Sequence, residues 1–329
     1  MSHTLTFGSS FAGIGGFDLG FERAGLTPKV QVEWKADRSE ILAAHWPTVA
    51  RKGDIRDVSG TDIAGVDIWG GGFPCQDTSI AAPHRAGLAG ARSSMFWEWH
   101  RVLDEHLRLV DAARPRWTFI ENPEGLLKSH DGRDMAAVLH GLVELGYGVA
   151  YRVVDGGSLG SAQRRRRVLV VGHRGGDPRP ARDVLGDTGP GVGAARPRAV
   201  PLLSGPAPVV GPQVDDTLIF RKSARPRAAI SKGGYETWVP AEFANTLTGF
   251  DGGAATRQTH LLVQGGRVRT FTLTEWERLQ GFPDGWTAGM KDSNRYSALG
   301  DAMLVPMAEW LGHRIRRVDA ALPLIGATR

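Results

Sequence analysis

The chain has 329 residues and a net charge of +5, and its 41% hydrophobic and 23% charged content is ordinary for a soluble globular enzyme of about two domains. It has no apolar run of about eighteen residues or more, and its first residues lack the basic and apolar parts of a signal peptide, so we expect a cytoplasmic protein without a membrane span. The single cysteine, Cys75, excludes an intramolecular disulfide and a zinc site built on several thiolates.

The positive charge is concentrated in one part of the chain. Residues 163–232 contain 12 Arg and 2 Lys against 5 Asp and no Glu, a net charge of +9, so the remainder carries −4. A basic segment of this kind suits the neutralisation of phosphates, and nucleic acid is the expected polyanion. A solvated basic loop without a partner stays open as the alternative on charge alone.

Up to about Gly172, short apolar runs alternate with helical patterns, which predicts βαβ units and a parallel sheet. Strands are predicted at residues 5–9, 29–33, 66–69, 117–121, 149–153 and 168–171. Helices are predicted at residues 37–45, 94–109 and 133–145. From about Gly175 to Gly266 the composition changes to Gly, Pro, Ala and Arg, which predicts a loop-rich second domain. Patterned sequence then returns, with helices predicted at residues 274–279 and 305–318.

The first strand leads into a glycine-rich turn, Phe11-Ala12-Gly13-Ile14-Gly15-Gly16, where the backbone can approach a ligand closely. Glu33, at the end of the next strand, can accept hydrogen bonds from ribose hydroxyls. Trp34 can stack on an adenine, and Asp54 of Gly53-Asp54-Ile55 can accept from an exocyclic amine. These features indicate an adenosine cofactor, NAD included. A strand-to-helix turn without a ligand, and a Trp34 that only packs in the core, stay open.

The lone cysteine follows a strand directly, in Gly70-Gly71-Gly72-Phe73-Pro74-Cys75-Gln76. Ligands of open α/β sheets lie beyond the carboxyl ends of the strands, so this loop is directed at the ligand crevice. A lone cysteine is usually a small buried hydrophobe. The glycines and the proline favour a rigid loop that presents the thiol as a nucleophile.

Two further polar motifs adjoin strands. Glu121 lies at the carboxyl end of a strand in Ile120-Glu121-Asn122-Pro123, where a buried acid can protonate a ring nitrogen; a satisfied strand-end carboxylate is the alternative. Gln163-Arg164-Arg165-Arg166-Arg167 runs into the strand 168–171. Alternate residues of an extended segment share a face, so Gln163, Arg165 and Arg167 point one way and one set can enter a site. A solvated basic tract is the alternative.

Taken together, these motifs resemble the ordered motif set of the DNA (cytosine-5)-methyltransferases, together with Arg278-Leu279-Gln280-Gly281-Phe282-Pro283-Asp284 and the tail Gly300-Asp301-Ala302 through Pro306. The resemblance covers roughly residues 7–172 and 269–315. It implies a doubly wound Rossmann-like α/β sheet and a smaller irregular target-recognition domain. It also implies S-adenosylmethionine as donor, no metal, duplex DNA as partner and monomeric action. The expected domains are residues 1–174 for cofactor and catalysis, 175–268 for target recognition and 269–329, whose last helix returns to the first domain.

The resemblance also implies roles for single residues. Cys75 would attack carbon-6 of a flipped-out cytosine, Glu121 would hold or protonate ring nitrogen 3, Arg165 would bind the ring carbonyl, and Arg167 would position the acid and the thiolate. The residues expected to hold S-adenosylmethionine are Phe11, Gly13, Gly15, Glu33, Trp34, Asp54, Ile55, Pro74 and Asp301. Those expected to contact DNA, mostly from a mobile loop over residues 76–93, are Gln76, Ser79, Arg85, Arg92 and Gln163.

The chain departs from the family pattern at three places: Asp301 replaces the usual Asn, Ala162 replaces the common Pro, and Pro123 replaces the common Val. Three alternative functions stay open: a tRNA cytosine methyltransferase of the same family, a nicotinamide-dependent oxidoreductase using Gly13 and Glu33, and an inactive DNA-binding homologue. The recognised DNA sequence cannot be read from the motifs. The choice between restriction–modification, a solitary regulator and phage DNA protection is equally open.

Overall fold

The computed structural model describes residues 4–74, 95–111, 113–186, 218–222, 238–241, 244, 246–247 and 260–322. Of the predicted site residues, those outside the described residues are Cys75, Gln76, Ser79, Arg85 and Arg92. The chain forms two compact units, the first from residues 1–155, 166–193 and 303–329, and the second from residues 156–165 and 194–302. These divisions fall at other positions than the predicted domain boundaries. The recognition role expected for residues 175–268 stays a prediction.

A seven-stranded sheet organises the first unit, with the strand order β3-β2-β1-β4-β5-β7-β6. The chain passes outward from β1 to β3 on one side and crosses to β4 on the other, so the sheet is doubly wound, as predicted. The strands are β1 (Thr6–Ser10), β2 (Thr27–Val32), β3 (Ala50–Lys52), β4 (Ile68–Gly71), β5 (Trp117–Pro123), β6 (Tyr147–Asp155) and β7 (Arg166–Arg174).

The prediction of a parallel sheet holds for all but one strand, because β7 runs antiparallel to both β5 and β6. Only the residues Gly156–Arg165 connect β6 to β7. A parallel return needs a crossover of about a dozen residues or more, usually a helix, and this connection contains just one short 3₁₀ turn. The chain therefore turns back and adds β7 as an antiparallel strand.

Helices cover both faces of the sheet. They are α1 (Gly16–Arg23), α2 (Ala36–His45), α3 (Met95–Leu109), α4 (Arg133–Glu144), α5 (Arg179–Leu185) and, at the end of the described chain, α8 (Val305–Ala321). On one face the indoles of Trp69 and Trp99 stack at 6.5 Å, joining the sheet to α3. On the other, the ring of Phe119 contacts Phe17 and Phe21 of α1. No helix in this described part of the chain combines the length and apolar character that a bilayer crossing needs.

The last helix packs on the first. A Cβ added at Gly20 would lie 2.5 Å from the Cβ of Ala308, and one at Gly312 would lie 2.8 Å from the Cβ of Ala24. Real Cβ atoms do not approach this closely, so glycines on both helices permit the contact. Asp319 of α8 accepts hydrogen bonds from Arg116 at 2.6 Å and from the indole of Trp117 at 2.8 Å. These bonds join the last helix to the start of β5.

The second unit contains a four-stranded antiparallel sheet with the order β11-β10-β8-β9. Its strands are β8 (Leu218–Lys222), β9 (Trp238–Ala241), β10 (His260–Gln264) and β11 (Arg267–Arg269), and its helices are α6 (Leu273–Gln280) and α7 (Asp292–Asp301). A capping box between Thr272 and Glu275 begins α6. The fully buried Glu277 accepts from Thr287 and Arg295, which orders the turn between the two helices.

A buried polar cluster lies beneath the glycine-rich turn. The fully buried carboxyl of Asp18 accepts from the hydroxyl of Ser9 at 2.8 Å and the amide of Gln31 at 2.9 Å through one oxygen. Among the described residues, its other oxygen and the Gln31 side-chain oxygen have no hydrogen-bond partner. Burial raises the pKa of Asp18 to about 6, against its ordinary 3.8. When Asp18 is ionised, its second oxygen and the Gln31 side-chain oxygen are both buried acceptors without a donor. A protonated Asp18 carboxyl becomes a hydrogen-bond donor itself, which removes part of this cost.

The Asp18 pKa gives a testable dependence of stability on pH. Since the folded-state pKa lies above the ordinary value, the native state keeps a proton that the unfolded chain loses, and this group lowers the free energy of unfolding as pH rises from about 4 to about 6. Asp18→Asn keeps the neutral shape and adds a donor. We expect urea unfolding to show Asp18→Asn more stable than wild type by up to about 3 kcal/mol at pH 8 and nearly equal at pH 4.

The exposed Asp131→Asn is the control and should follow the wild-type curve at both pH values. A constant difference between Asp18→Asn and wild type across this range would contradict the assignment.

Candidate active site

The carboxyl ends of five neighbouring strands lie in one register. Across the sheet Lys52 pairs with Val32, Val32 with Ser10, Ser10 with Gly71, and Gly71 with Ile120. The residues that follow these five positions are Gly53, Glu33, Phe11, Gly72 and Glu121. Neighbouring strands are about 4.8 Å apart, so Glu33 and Glu121 lie roughly 14 Å apart along this edge. The sheet thus brings the predicted cofactor residues and the predicted acid to one edge.

The glycine-rich turn adopts left-handed backbone conformations at three positions. Phe11, Gly13 and Gly15 have φ of 53°, 59° and 84°. A left-handed phenylalanine costs on the order of 1–2 kcal/mol, and such strain is concentrated at functional sites. The amide of Ala12 donates to Val32 at 3.0 Å and that of Gly15 to Ala12 at 2.9 Å, which fixes the turn. Nothing lies within 4 Å of a Cβ added at Gly13, so the turn is open there.

Glu33 is buried and ties the turn to the end of β2. Its carboxylate accepts from the amide of Gly13 at 2.8 Å and from the amide of Lys35 at 2.9 Å, one on each oxygen. The adjacent Trp34 is 65% exposed, so its indole does not pack in the core. The ring face of Trp34 is therefore accessible from solvent beside a buried carboxylate.

The turn after β3 holds Asp54 and Ile55. Asp54 caps a 3₁₀ turn over Ile55–Asp57, and its carboxylate accepts from the backbone and the guanidinium of Arg56. The Arg56 bonds hold the pKa of Asp54 below its ordinary value. Ile55 is buried in the core. Asp54 therefore stays an acceptor at neutral pH, although Arg56 uses much of its capacity.

The glycines at the end of β4 pack so closely against neighbouring strands that a side chain there would clash. A Cβ at Gly71 would lie 2.0 Å from the carbonyl oxygen of Ser10, and one at Gly72 would lie 2.7 Å from Oε2 of Glu121. The amide of the buried Asn122 donates to the carbonyl of Phe73 at 3.1 Å. Pro74 is exposed and is the last described residue before Cys75. Gly72, three residues before the cysteine in the sequence, therefore lies directly beside the Glu121 carboxylate.

Glu121 and Arg167 form a mostly buried ion pair, with Nε and Oε1 2.7 Å apart and side chains 11% and 10% exposed. No described N–H group is aligned for a hydrogen bond to that oxygen. The antiparallel register of β5 and β7 places Arg167 opposite Pro123. Glu121 is two residues before Pro123 and so shares its face of the strand, which brings the Glu121 and Arg167 side chains together. An acid held this way retains capacity to interact with a ligand ring.

Three other predicted residues belong to the second unit. Arg165 is buried, and its guanidinium donates to the carbonyls of Leu247, Gly300 and Ala302. Gln163 is fully buried, accepts from the amide of Leu247 and donates to the carbonyl of Leu279 at 3.5 Å. It therefore faces protein and not solvent, and its DNA contact stays a prediction. Asp301 is the exposed last residue of α7.

Asn122, Gly72 and Arg101 have structural roles that the sequence motifs do not predict. Asn122 and Gly72 fix the β4 loop against β5, and Arg101 binds the turn after β3. The spacing Glu98, Arg101, Glu105 on a predicted helix signals i,i+3 and i,i+4 ion pairs. Nothing in that spacing shows that the same arginine also reaches a loop about 45 residues earlier in the chain.

Comparison with known proteins relates most of the chain to one family. The family described as C-5 cytosine-specific DNA methylase matches residues 5–185 and 219–317. The Type II methyltransferase M2.BsuMI of Bacillus subtilis (strain 168) is 28% identical over 323 residues, which cover 95% of this chain and 76% of that protein. The Type II methyltransferase M.Sau3AI of Staphylococcus aureus is 27% identical over 398 residues, covering 94% and 95%.

Among solved structures, the Dnmt2 methyltransferase of S. pombe superposes with a TM-score of 0.65 at 16% identity, covering 97% of this chain and 100% of that chain. Identity this low shows the fold alone. The doubly wound sheet with a second, smaller sheet is thus a methyltransferase fold, as predicted.

Two glycines of the turn after β1 give a matched pair for mutation. Both have positive φ, so alanine costs about 1–2 kcal/mol at either position. At Gly15 the new Cβ would also lie 2.4 Å from the Trp46 ring, whereas at Gly13 it meets nothing. We expect denaturant unfolding to show Gly15→Ala less stable than Gly13→Ala by about 1–3 kcal/mol. Equal stabilities for the two variants would be inconsistent with this packing.

Proposed function

Since the chain belongs to the family of C-5 cytosine-specific DNA methylases, we propose that it uses Cys75 as a covalent nucleophile on a cytosine turned out of duplex DNA. It is an enzyme that methylates cytosine at carbon-5 in DNA with S-adenosylmethionine as donor. One observation carries the finer proposal. Gly72, three residues before Cys75 in the sequence, lies beside Glu121, since a Cβ added at Gly72 would lie 2.7 Å from Oε2 of that carboxylate.

The residues at the ends of β1, β2 and β3 suit an adenosyl ligand. The buried Glu33 has acceptor capacity beyond its two backbone bonds, which suits ribose hydroxyls. The exposed Trp34 offers a face for the adenine ring, and the open space at Gly13 admits the ligand close to the backbone. By resemblance to the family we also assign Phe11, Gly15, Asp54, Ile55 and Pro74 of the first unit, and Asp301 of the second, to the donor. The bound donor supplies an electrophilic methyl group.

The chemistry then falls to four side chains. The Cys75 thiolate adds to carbon-6 of cytosine, and the electron pair displaced to the ring makes carbon-5 nucleophilic enough to take the methyl group. Glu121 hydrogen-bonds or protonates nitrogen 3 as charge develops, and Arg167 keeps that carboxylate in place. Arg165 is assigned to the ring carbonyl oxygen, and because its guanidinium is buried among the carbonyls of Leu247, Gly300 and Ala302, this contact requires the segment to rearrange on binding. A base, water in our assignment, removes the proton from carbon-5, the carbon–sulfur bond breaks and the thiolate leaves.

Binding of DNA is assigned to the basic part of the chain. Residues 163–232 carry a net charge of +9, which suits phosphate contacts. We place target recognition in residues 175–268 and a closing loop in residues 76–93, with Gln76, Ser79, Arg85 and Arg92 facing DNA. The side-chain amide of Gln163 is bound to backbone groups of the second unit. A DNA contact by Gln163 therefore requires the segment around it to rearrange on binding.

Two alternatives are less well supported. A nicotinamide-dependent oxidoreductase would use Gly13 and Glu33 but leaves the paired Glu121 and Arg167 without a role. A tRNA methyltransferase of the same family keeps the site and changes the substrate. The basic segment and the Type II relatives favour DNA.

The first prediction from this proposal concerns the nucleophile. Unmethylated DNA incubated with S-adenosylmethionine should gain 5-methylcytosine with wild-type protein and none with Cys75→Ala, because the methyl acceptor carbon is activated only by thiolate addition. Nucleoside mass spectrometry measures the product. Methylation by Cys75→Ala at the wild-type rate would falsify the covalent mechanism. Methylation by wild type of RNA and not DNA would favour the tRNA alternative.

A second prediction concerns the clearance beside Glu121. Gly72→Ala places a Cβ 2.7 Å from the Glu121 carboxylate and 3.3 Å from the Glu121 backbone oxygen, so the carboxylate must rotate away while the backbone adjusts by a few tenths of an ångström. We expect kcat for DNA methylation to fall about tenfold to a hundredfold, with stability nearly unchanged. Gly125→Ala, four residues beyond Glu121 and with nothing near its Cβ, is the matched control and should keep the wild-type kcat. Equal kcat values for the two variants would contradict the catalytic role proposed for Glu121.

A further inference from the structure

One arginine of α3 binds the backbone of the turn after β3. The Nη2 of Arg101 lies 3.1, 3.3 and 3.0 Å from the carbonyl oxygens of Ile55, Arg56 and Val58. These carbonyls lie at the end of the 3₁₀ turn that Asp54 begins. The Ile55 carbonyl also accepts from the amide of Val58 at 3.2 Å, and a cation at the end of a turn opposes the partial negative charge of its carbonyls.

Two carboxylates of the same helix hold the guanidinium in this orientation. Nε donates to Glu98 and Nη1 donates to Glu105, each at 2.8 Å. The guanidinium is planar and presents its donors in a fixed fork, so both carboxylates fix the direction in which Nη2 points. A lysine offers one compact charge and cannot meet the carboxylates and all three carbonyls together.

The same helix binds the next residues of the loop as well. Glu105 accepts from the amide of Gly60 at 3.0 Å, and Nδ1 of the buried His106 lies 2.6 Å from the carbonyl of Gly60. A Cβ at Gly60 would lie 2.3 Å from the His106 amide nitrogen, so the loop lies directly on the helix. Three side chains of α3 therefore fix the backbone from Ile55 to Gly60.

We propose that Arg101 is a positioning residue for the donor: it holds the turn after β3 so that Asp54 and Ile55 stand at the carboxyl edge of the sheet in the place where the adenine binds. The inference rests on the proposed function, which assigns Asp54 and Ile55 to the S-adenosylmethionine site. Arg101 itself contacts no ligand in this assignment. Its effect passes through the backbone of the turn, since Asp54 is the first residue of that turn and Ile55 supplies one of the bound carbonyls.

Arg101→Met tests the inference, with Arg108→Met as the matched control. Arg108 lies on the same helix, pairs with Asp104 at i,i+4 and is largely exposed, and among the described residues its ion-pair partner is Asp104 of its own helix and not a residue of the turn. Calorimetric titration with S-adenosylhomocysteine should give a Kd about tenfold higher for Arg101→Met and unchanged for Arg108→Met. In methylation assays the KM for the donor should rise while kcat changes less than twofold. The Kd of Arg101→Lys should lie between those of wild type and Arg101→Met. This variant also tests the inference if Arg101→Met does not fold.

A second measurement separates positioning from general support of the fold. Combining Arg101→Met with Asp54→Ala should weaken binding less than the product of the two single effects, because both act through one turn. Faster hydrogen exchange at the amides of residues 55–60 with an unchanged Kd would overturn the inference, since the turn would then loosen without affecting the ligand. Multiplicative effects in the double variant would overturn it too.

The outcomes also separate this inference from the proposed function. If wild-type protein binds S-adenosylhomocysteine and Arg101→Met binds it equally well, only the role of Arg101 is lost. If wild-type protein binds none, the cofactor assignment fails and the role of Arg101 fails with it.

Discussion

The site depends on five parallel strands that share one register at their carboxyl ends. Glycine makes that register possible, because a Cβ at Gly70 would lie 2.4 Å from the carbonyl oxygen of Phe119 and one at Gly71 would lie 2.0 Å from that of Ser10. Neither backbone can move away without breaking the β1–β4 or β4–β5 ladder. The two glycines therefore set how closely the end of β4 approaches β1 on one side and β5 on the other.

Elements with a strong apolar pattern could be predicted, and elements stabilised by distant contacts could not. The buried strands β1, β4 and β5 and the amphipathic helices α3 and α4 lie within a few residues of their predicted bounds. The short strand β3 has only three residues, and its neighbour β2 supplies the pairing that defines it. Helix α7 has a weak apolar face and depends on Arg295 pairing with the buried Glu277 and on Gln280 binding Leu299.

For the site, the sequence indicates which residue types occur but not what each one contacts. The motifs predict that Glu121 and Arg167 act together, and the antiparallel register of β5 and β7 gives that pairing a cause. Gln163 belongs to the same alternating motif, yet it is buried and bound to backbone in the second unit. Alternation along an extended segment shows which side chains share a face. It does not show whether that face meets solvent, ligand or another loop.

Glu33 links the conformation of the glycine-rich turn to the binding of the donor. A carboxylate has acceptor sites for about four hydrogen bonds, and the amides of Gly13 and Lys35 occupy one on each oxygen. The remaining capacity matches two ribose hydroxyls, so in the proposed function the ligand adds to the bonds that hold the turn and displaces none of them. The left-handed Phe11 is then already in place before the donor binds, and its strain is offset by the bonds from Ala12 to Val32 and from Gly13 to Glu33. A site ordered in this way loses little conformational entropy on binding, because the protein has ordered the turn during folding.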